Sequence, residues 1–388
     1  MPLCRLASAV WFISCVLALS LLCCHCVEAV EVRVLVLESA SQLTISSSGP
    51  FELVGSNGAG VLGQYLPYER VLISSRSGGW KMGDEEYYGN SLRVETLPSF
   101  FVQVNDHTYR GKLEIHKERG KGLQAVNVLN LEDYLRGVIK QEISTKWPME
   151  ALKTQAVVAR TFALRQVLDN PQQIFHLKST TDSQMYGGAD GEDLRSDLAV
   201  RATADEVLTQ NGKAIPTFYH AACGGHTEDA ADLWSFDHSA LRGVPCSYCP
   251  YYSVYLWQAS LRGEEIRRAL ARWGYQIGEV EAIVPLQRSK THRILSLEIQ
   301  HTLGRTAMEG KRFRQCLGYD LIRSTNFTVK RENGGFAFQG KGWGHGVGLC
   351  QWGAKGMADR AFTYEEILEY YYPGTHLSRI EEIEEIQD

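Results

Sequence analysis

The sequence lacks the features of several large classes of protein. Its 388 residues include 40 Lys and Arg against 45 Asp and Glu, a net charge of −5, and there is no long basic run. We therefore expect no nucleic-acid partner, because proteins that bind the negatively charged nucleic-acid backbone usually carry an excess of positive charge. There is no low-complexity linker and no repeat of solenoid period, and after residue 29 no apolar stretch is long enough to span a membrane.

Nucleotide-binding signatures are also absent. The glycine-rich run from Gly340 to Gly348 does not have the Gly-x-Gly-x-x-Gly spacing, and no Gly-Lys-Ser/Thr phosphate loop is present. We interpret these glycines as allowing the backbone to approach a bulky ligand. Within the run, Trp343 can stack on a sugar ring, and His345 can hydrogen-bond a substrate or orient a carboxyl, although a single histidine in such a loop is usually structural.

Residues 1–29 predict a secretory leader. Arg5 precedes an apolar run from Leu6 to Cys24, and Val27-Glu28-Ala29 is an acceptable cleavage site. The run is nearly long enough to span a bilayer, so an uncleaved membrane anchor is the alternative. In either case we expect the body of the protein to be exported, to the periplasm or cell envelope.

Leu129 to Arg165 predicts two helices, separated by a break at Trp147-Pro148. Asn130 is a good N-cap for the first helix. Its buried face has the spacing i, i+3, i+4, i+7, i+8 and consists of Leu135, Val138, Ile139, Glu142 and Ile143. Glu142 is the acid on this face, near the carboxyl end of the helix, where burial and the helix dipole both raise a carboxyl pKa. A glutamate that stays protonated can act as a general acid; the alternative is a boundary glutamate whose carboxylate reaches solvent.

The rest of the chain predicts an α+β fold. From 30 to 128, alternating segments such as Glu31 to Leu37 and turn pairs such as Asn57-Gly58 predict a β-rich N-terminal subdomain. It leads into the two helices, which open a region from 129 to 377 whose further short strands and loops form a groove. Residues 378–388 are an acidic tail that we expect to be frayed. The length of the chain allows two subdomains.

Two short ligand pairs predict a zinc site. Cys223-Gly-Gly-His226 and Cys246-Ser-Tyr-Cys249 lie about 20 residues apart, which suits tetrahedral coordination by Cys223, His226, Cys246 and Cys249. Such a closed set would make the zinc structural. A disulfide, favoured by an exported compartment, and free thiols are the alternatives. His220 is an alternative ligand or a groove residue.

Tyr134 to Ile143 and Trp147 to Leu164 resemble the signature of the SpoIID/LytB family, the stage II sporulation protein D type of peptidoglycan lytic transglycosylase. The resemblance covers about residues 100–377 and includes the run from Gly342 to Ala354, where the family usually has Ser in place of Cys350. It implies that Glu142 is the catalytic acid. It also implies that the segment around Tyr186 contributes to the groove, the alternative being a turn with a buried tyrosine.

The resemblance implies an enzyme that cleaves the bond between N-acetylmuramic acid and N-acetylglucosamine in glycan strands stripped of stem peptides. Because no second acid recurs at a comparable apolar position near Glu142, we expect 1,6-anhydro product ends rather than hydrolysis. The rival hypothesis is a non-catalytic glycan-binding protein that recruits or stimulates a cell-wall amidase. Either would act in cell-wall remodelling and division. A zinc hydrolase is disfavoured because a four-ligand set leaves no open position on the metal.

Overall fold

The protein is described here by a computed structural model covering residues 30–55, 60–118, 120, 122–234, 236–332 and 334–387. The predicted leader at 1–29 lies outside these residues. From Glu31 onward the chain forms one compact unit. Its mixture of helices and sheets confirms the predicted α+β class. None of the helices in the described part of the chain is long and apolar enough to cross a membrane.

The N-terminal part is built from strands, as the alternating sequence predicted. The strands are β1 (Glu31–Ala40), β2 (Gln42–Ser47), β3 (Phe51–Gly55), β4 (Gly60–Tyr65), β5 (Val71–Arg76), β6 (Gly79–Met82), β7 (Glu85–Tyr88), β8 (Ser91–Thr96), β9 (Val102–Val104), β10 (His107–Tyr109), β11 (Lys112–Glu118) and β12 (Gly122–Asn130). Together with β13 (Leu177–Lys178), they form two sheets in the orders β13-β1-β12-β11-β8-β3-β4 and β10-β9-β2-β5-β6-β7.

The interior strand β12 runs directly into the two predicted helices, α1 (Leu131–Glu142) and α2 (Met149–Asp169). The side chain of Asn130 caps α1 by accepting a hydrogen bond from the backbone N–H of Asp133 at 2.8 Å, which confirms the predicted cap. Leu135, Val138 and Ile139 are fully buried, as the helical spacing predicted. This burial fixes the rotation of α1 and thereby the direction of Glu142 at its last position.

The remaining helices are short. They are α3 (Leu194–Ala202), α4 (Ala230–Trp234), α5 (Gly263–Ala271), α6 (Gly310–Leu317), α7 (Gln351–Ala358), α8 (Tyr364–Tyr371) and α9 (Glu384–Gln387). The strands between them are β14 (Glu206–Gln210), β15 (Lys213–Ala214), β16 (Tyr219–His220), β17 (Leu256–Arg262), β18 (Val280–Arg288), β19 (Ile294–His301), β20 (Gly304–Glu309), β21 (Phe327–Glu332), β22 (Gly335–Lys341), β23 (Leu349–Cys350) and β24 (His376–Arg379).

The C-terminal half has two hydrophobic cores. One lies between the sheets β17-β22-β21 and β18-β19-β20 and helices α5 and α6, and it includes the buried aromatic residues Trp257, Phe313, Phe327 and Phe338. The other gathers parts of α2, β14, β23, α7 and α8 around four buried cysteines. The parallel pair β16-β23 lies at this second core and brings distant segments of the chain together.

The predicted fraying of the acidic tail is wrong for its described part. Strand β24 pairs with β14, and the side chains of Ile380 and Ile383 are buried. The carboxylate of Glu385 also forms an ion pair of 2.8 Å with Arg165 on α2. Apolar residues between the acids therefore dock this segment despite its charge.

Candidate active site

Glu142 ends α1, and its side chain is only partly exposed. One carboxylate oxygen, Oε1, accepts a hydrogen bond from the backbone N–H of Met185 at 2.8 Å. Burial raises the pKa of Glu142 above its ordinary value, and the Met185 hydrogen bond partly opposes this. A carboxyl with a raised pKa in a partly open position has the properties of a general acid.

Tyr219 on β16 is a neighbour of Glu142 that the sequence did not reveal. Its hydroxyl is buried and has no hydrogen-bond partner within 3.5 Å among the described residues. Burial, and next the negative charge of Glu142, raise the pKa of Tyr219 far above its ordinary value. The phenol is therefore a neutral O–H donor beside the acid.

Both residues line an open groove with a volume of about 980 Å³. Four of the residues predicted from the sequence line it: Glu142, His220, Trp343 and His345. A second part of its lining comes from α6 and neighbouring loops, and includes Tyr275, Lys311, Arg312, Arg314 and Tyr319. The groove thus joins segments that lie up to about 200 residues apart in the sequence.

Tyr186 does not line the groove, contrary to the prediction. Its side chain is buried, and its hydroxyl donates to Oδ1 of Asn127 at 2.7 Å. The neighbouring Gln184 is also buried and accepts a hydrogen bond from the Tyr134 hydroxyl at 3.0 Å. These two anchors leave Met185 between them at the surface, where its N–H meets Glu142. Met185 also lines the groove, so the segment contributes to the groove as predicted although Tyr186 does not.

His345 is held by the protein itself. Its Nε2–H donates to the carbonyl oxygen of Tyr219 at 2.9 Å, and its Nδ1 accepts from the N–H of Val347 at 3.1 Å. Both ring nitrogens are therefore occupied, and burial lowers the pKa of His345 to about 3. The predicted substrate hydrogen bond is replaced by a contact that fixes the strand carrying Tyr219.

His220 presents a free acceptor to this region. Its Nδ1 lies 3.1 Å from the carbonyl oxygen of Val347, which makes Nδ1 the protonated nitrogen of a neutral ring. Its Nε2 is buried and has no hydrogen-bond partner among the described residues. Burial and the neighbouring His345 and Arg293 lower the pKa of His220 well below its ordinary value. His220 lies at the groove, not among the cysteines.

The glycines of the loop that was predicted to contact a ligand instead allow close approach of the protein's own backbone. Gly344 has φ +110°, and a Cβ there would lie 2.6 Å from Cβ of His220. Gly348 has φ +72°, and its Cβ would lie 2.1 Å from the carbonyl oxygen of Phe218. Close approach of two backbones explains the glycines, so the prediction that they accommodate a ligand is wrong at these positions. Trp343 is partly exposed, with the guanidinium of Arg323 4.5 Å from its ring centre.

Four cysteines lie together beneath this loop. The Sγ atoms of Cys223, Cys246, Cys249 and Cys350 all lie within 4.8 Å of one another. The Cys223–Cys249 and Cys246–Cys249 distances are 3.4 and 3.9 Å, so these pairs are thiols and not disulfides. A tetrahedral zinc with Zn–S bonds of about 2.3 Å would need S–S separations of about 3.8 Å.

The fourth position of this cluster is held by Cys350 and not by His226. Pairing of β16 with β23 aligns His220 with Cys350 and so brings Cys350 to Cys223. The predicted ligand His226 points elsewhere, with its Nδ1 2.6 Å from the carbonyl oxygen of Thr227. Cys350 stands where the family pattern has Ser, so no motif could have identified it.

Backbone N–H groups donate hydrogen bonds to the sulfur atoms, as they do around a metal-bound thiolate. The N–H groups of Cys223 and Gly353 donate to Sγ of Cys350 at 3.3 Å, and that of Gly225 donates to Sγ of Cys223 at 3.4 Å. Such donors stabilise negative sulfur. The donor set and its spacing fit a structural zinc ion with a closed coordination shell.

A buried ion pair connects the cysteine cluster to the glycine-rich loop. The guanidinium of Arg293 is fully buried and donates to the carbonyl oxygens of Cys223 at 2.7 Å and Gly344 at 3.3 Å. Its charge is offset by Glu228, 3.9 Å away and equally buried. Ser289 also donates to the Glu228 carboxylate, at 2.5 Å. The polar residues at this position are therefore structural.

The fold and groove define a mixed α+β protein in which one carboxyl with a raised pKa lies beside a neutral tyrosine at the wall of an open groove. Comparison with known sequences identifies related families. The family described as "Stage II sporulation protein" matches residues 119–210, and a family described as a domain of unknown function matches residues 249–348.

An uncharacterized protein of Brachyspira hyodysenteriae is 33% identical over 89% of this chain and 92% of its own length. Stage II sporulation protein D of Bacillus subtilis is 28% identical over 66% of this chain and 76% of its own length. The amidase enhancer of Bacillus subtilis is 28% identical over 79% of this chain and 49% of its own length. The chain belongs to the SpoIID family.

Proposed function

We propose that the protein is a lytic transglycosylase that cleaves the glycan strands of peptidoglycan and leaves 1,6-anhydro-muramic ends. The observation that carries the proposal is Glu142, a carboxyl whose pKa is raised by burial at the wall of a groove large enough for sugars. Membership of the SpoIID family supports it, since relatives include stage II sporulation protein D. Such an activity places the protein in the cell envelope.

The proposed reaction uses Glu142 twice. Protonated Glu142 donates its proton to the oxygen between muramic acid and N-acetylglucosamine, and the C1–O bond breaks. The resulting carboxylate then takes the proton of the C6 hydroxyl of the muramic sugar, whose oxygen bonds to C1. No water is consumed and the acid is regenerated. The Met185 N–H stabilises the carboxylate between the two steps.

Hydrolysis by two carboxyl groups is the main chemical alternative, and it has candidates in the groove. Asp182, Glu309 and Asp320 also line it. All three are solvent-exposed, and Asp182 and Glu309 lie 3.4 and 3.2 Å from Lys178 and Lys311. A hydrolytic mechanism would need one of them as base or nucleophile. We expect none to be required.

The decisive experiment is mass spectrometry of sugar ends after digestion of purified glycan strands. The wild-type protein should release products with anhydro ends, and Glu142→Gln should lower turnover roughly a hundredfold or more while still binding strands. Asp182→Asn is the matched control in the same groove and should retain anhydro products. Reducing ends would refute the transglycosylase step, and an active Glu142→Gln enzyme would refute the assignment of the acid.

A non-catalytic role is the second candidate, because one relative is named amidase enhancer. In that case the groove would bind glycan and the protein would recruit or stimulate a cell-wall amidase. Pelleting of the protein with glycan strands, without release of soluble sugars, would support this function. Stimulation of a purified amidase equally by wild-type protein and Glu142→Gln would support it further.

We also propose one structural zinc ion, held by Cys223, Cys246, Cys249 and Cys350. The ion would join three segments of the chain, because these ligands come from β16–α4, the 246–249 turn and the start of α7. With four sulfur ligands the site has no open position, so its contribution is to stability and not to the reaction.

A further inference from the structure

Part of the groove lining comes from a region in which only the glycine-rich loop has been given a role so far. Residues 249–348, which match the domain of unknown function, will be called the 249–348 module. The module has its own hydrophobic core. It lines the groove beside Glu142 with a mixture of aromatic and basic side chains, among them Tyr275, Lys311, Arg312, Arg314 and Tyr319.

Helix α6 directs the basic side chains into the groove. Its inner side buries Phe313 and Cys316 in the core of the module. Lys311, Arg312 and Gln315 then occupy the i, i+1 and i+4 positions of the remaining face, and all three line the groove. The module thus presents a cationic wall to the space that contains the candidate acid.

Within this wall, Arg312 is held in place by neighbouring aromatic and amide side chains. Its guanidinium lies 4.3 Å from the ring centre of Trp273 and 6.0 Å from that of Tyr275, and its Nη1 donates to Oε1 of Gln315 at 2.7 Å. Trp273 is itself 44% exposed and follows α5, which ends at Ala271. Arg312 is therefore oriented by aromatic and amide groups that leave its charge unneutralised.

The other groove cations have protein partners. Lys311 pairs with Glu309 at 3.2 Å, and Arg314 donates through Nε to the carbonyl oxygen of Ile322 at 2.9 Å. No carboxylate lies within 4.0 Å of the Arg312 guanidinium in the part of the chain that the structure describes. An oriented guanidinium without an acidic partner is suited to a planar anion, which it binds through two parallel hydrogen bonds.

This inference rests on the proposed glycan substrate. A glycan strand without stem peptides carries one anion per disaccharide, the lactyl carboxylate on O3 of muramic acid. When a stem peptide is attached, the same carbon is an amide and has no charge. The family resemblance already implies stripped strands as the substrate. We propose that Arg312, with Lys311 beside it, binds the lactyl carboxylate, and that this contact is how the 249–348 module distinguishes the free acid from the amide.

Binding can be tested without turnover, in the Glu142→Gln background. Stripped strands and neutral chitooligosaccharides of matched length are the two probes, because chitooligosaccharides lack the lactyl group. Glu142→Gln should bind stripped strands about tenfold or more tightly than the neutral chains, the range expected for a charge-assisted bidentate contact. Adding Arg312→Gln should remove that difference while leaving binding of the neutral chains unchanged.

Two further variants make the test specific. Arg267→Gln alters an exposed arginine on α5 that does not line the groove, and it should keep the full preference. Arg312→Lys keeps the charge but loses the planar fork, so it should retain only part of the preference. Unchanged binding of the neutral probe is the check that the groove of each variant is intact.

Several outcomes would overturn the inference. Equal weakening of both probes by Arg312→Gln would show a general contact rather than a carboxylate contact. An unchanged preference would exclude Arg312, and equal loss for peptide-bearing and stripped strands would show that the contact does not depend on a free lactyl carboxylate. Because binding is measured in an inactive background, a protein without transglycosylase activity can still show the preference, so failure of the proposed function would be recognised separately.

Discussion

At the scale of single residues, the proposed chemistry depends on one carboxyl group, Glu142, whose environment opposes its ionised form. Glu142 lies on an otherwise apolar helical face, and burial raises its pKa. The folded protein therefore holds the Glu142 proton more tightly than the unfolded chain does. The stability that this confers is present below the unfolded pKa and is lost as the pH rises through the folded pKa.

Replacement of this acid by its neutral isostere should therefore stabilise the protein at neutral pH. Glu142→Gln keeps the hydrogen bond from Met185 and removes the buried charge. We expect a gain of about 0.5–2 kcal/mol in unfolding free energy at pH 7–8, and a smaller gain at pH 4. Thermal unfolding of both proteins across this pH range measures the difference, and a gain that is largest at pH 4 would contradict it.

Tyr219 should tune the same group. Its neutral hydroxyl favours the Glu142 carboxylate and so lowers the pKa of Glu142, against the larger effect of burial. Tyr219→Phe removes that influence, so the activity loss that accompanies deprotonation of Glu142 should move to higher pH. The measurement is the pH profile of kcat/KM, with the exposed Tyr251→Phe as control. If the high-pH limb of this profile stays in place or moves to lower pH, this role for Tyr219 is excluded.

At the scale of elements, the site depends on close contact between the glycine-rich loop and β16. The loop packs on Phe218 and His220 at distances that leave no room for a Cβ, and His345 ties the loop to Tyr219. The position of Tyr219 is thus set by glycines more than 120 residues further along the chain. The sequence predicted that the glycine-rich loop would contact a ligand, but the loop instead holds the protein's own strand β16 in place.

Gly344→Ala should show how much this contact contributes. Gly344 has φ +110° and an obstructing His220 side chain, whereas Gly304 has φ +126° and nothing within 4 Å of an added Cβ. Gly304→Ala should cost about 1 kcal/mol of stability through backbone strain, and Gly344→Ala at least twice that because it adds a collision. Chemical denaturation compares the two, and equal losses would show that the contact is not tight.

At the scale of the whole molecule, the cysteine cluster joins segments that the sequence leaves far apart. If zinc is bound, purified protein should contain about one zinc per chain, and chelation should lower its Tm because metal binding is coupled to folding. Cys350→Ser should abolish zinc retention. Cys316→Ser, at a buried thiol outside the cluster, and His226→Ala should both retain the metal. Loss of zinc from His226→Ala together with retention by Cys350→Ser would restore the ligand set predicted from the sequence.

The α+β class, the capped helix α1 with its buried face and the isolated acid at position 142 could be predicted from the sequence. Each depends on residues within one or two helical turns of one another, and local hydrogen bonding and periodicity determine such features. Two of the four cluster cysteines, Cys246 and Cys249, are likewise neighbours in the chain. The α6 face that carries Arg312 is equally local, but the groove that this face lines forms only in the tertiary structure.

Only the tertiary structure decided which distant groups meet. The choice of Cys350 over His226, the placement of Tyr219 beside Glu142 and the burial of Tyr186 all follow from the pairing of β16 with β23 and the anchoring of residues 184–186. Strand pairing is set by long-range packing, and a residue type alone does not reveal its partner across more than 100 positions. The sequence thus determined the acid and its helix, whereas the groove, the cluster and the cationic wall arise because the chain brings its far segments to one place.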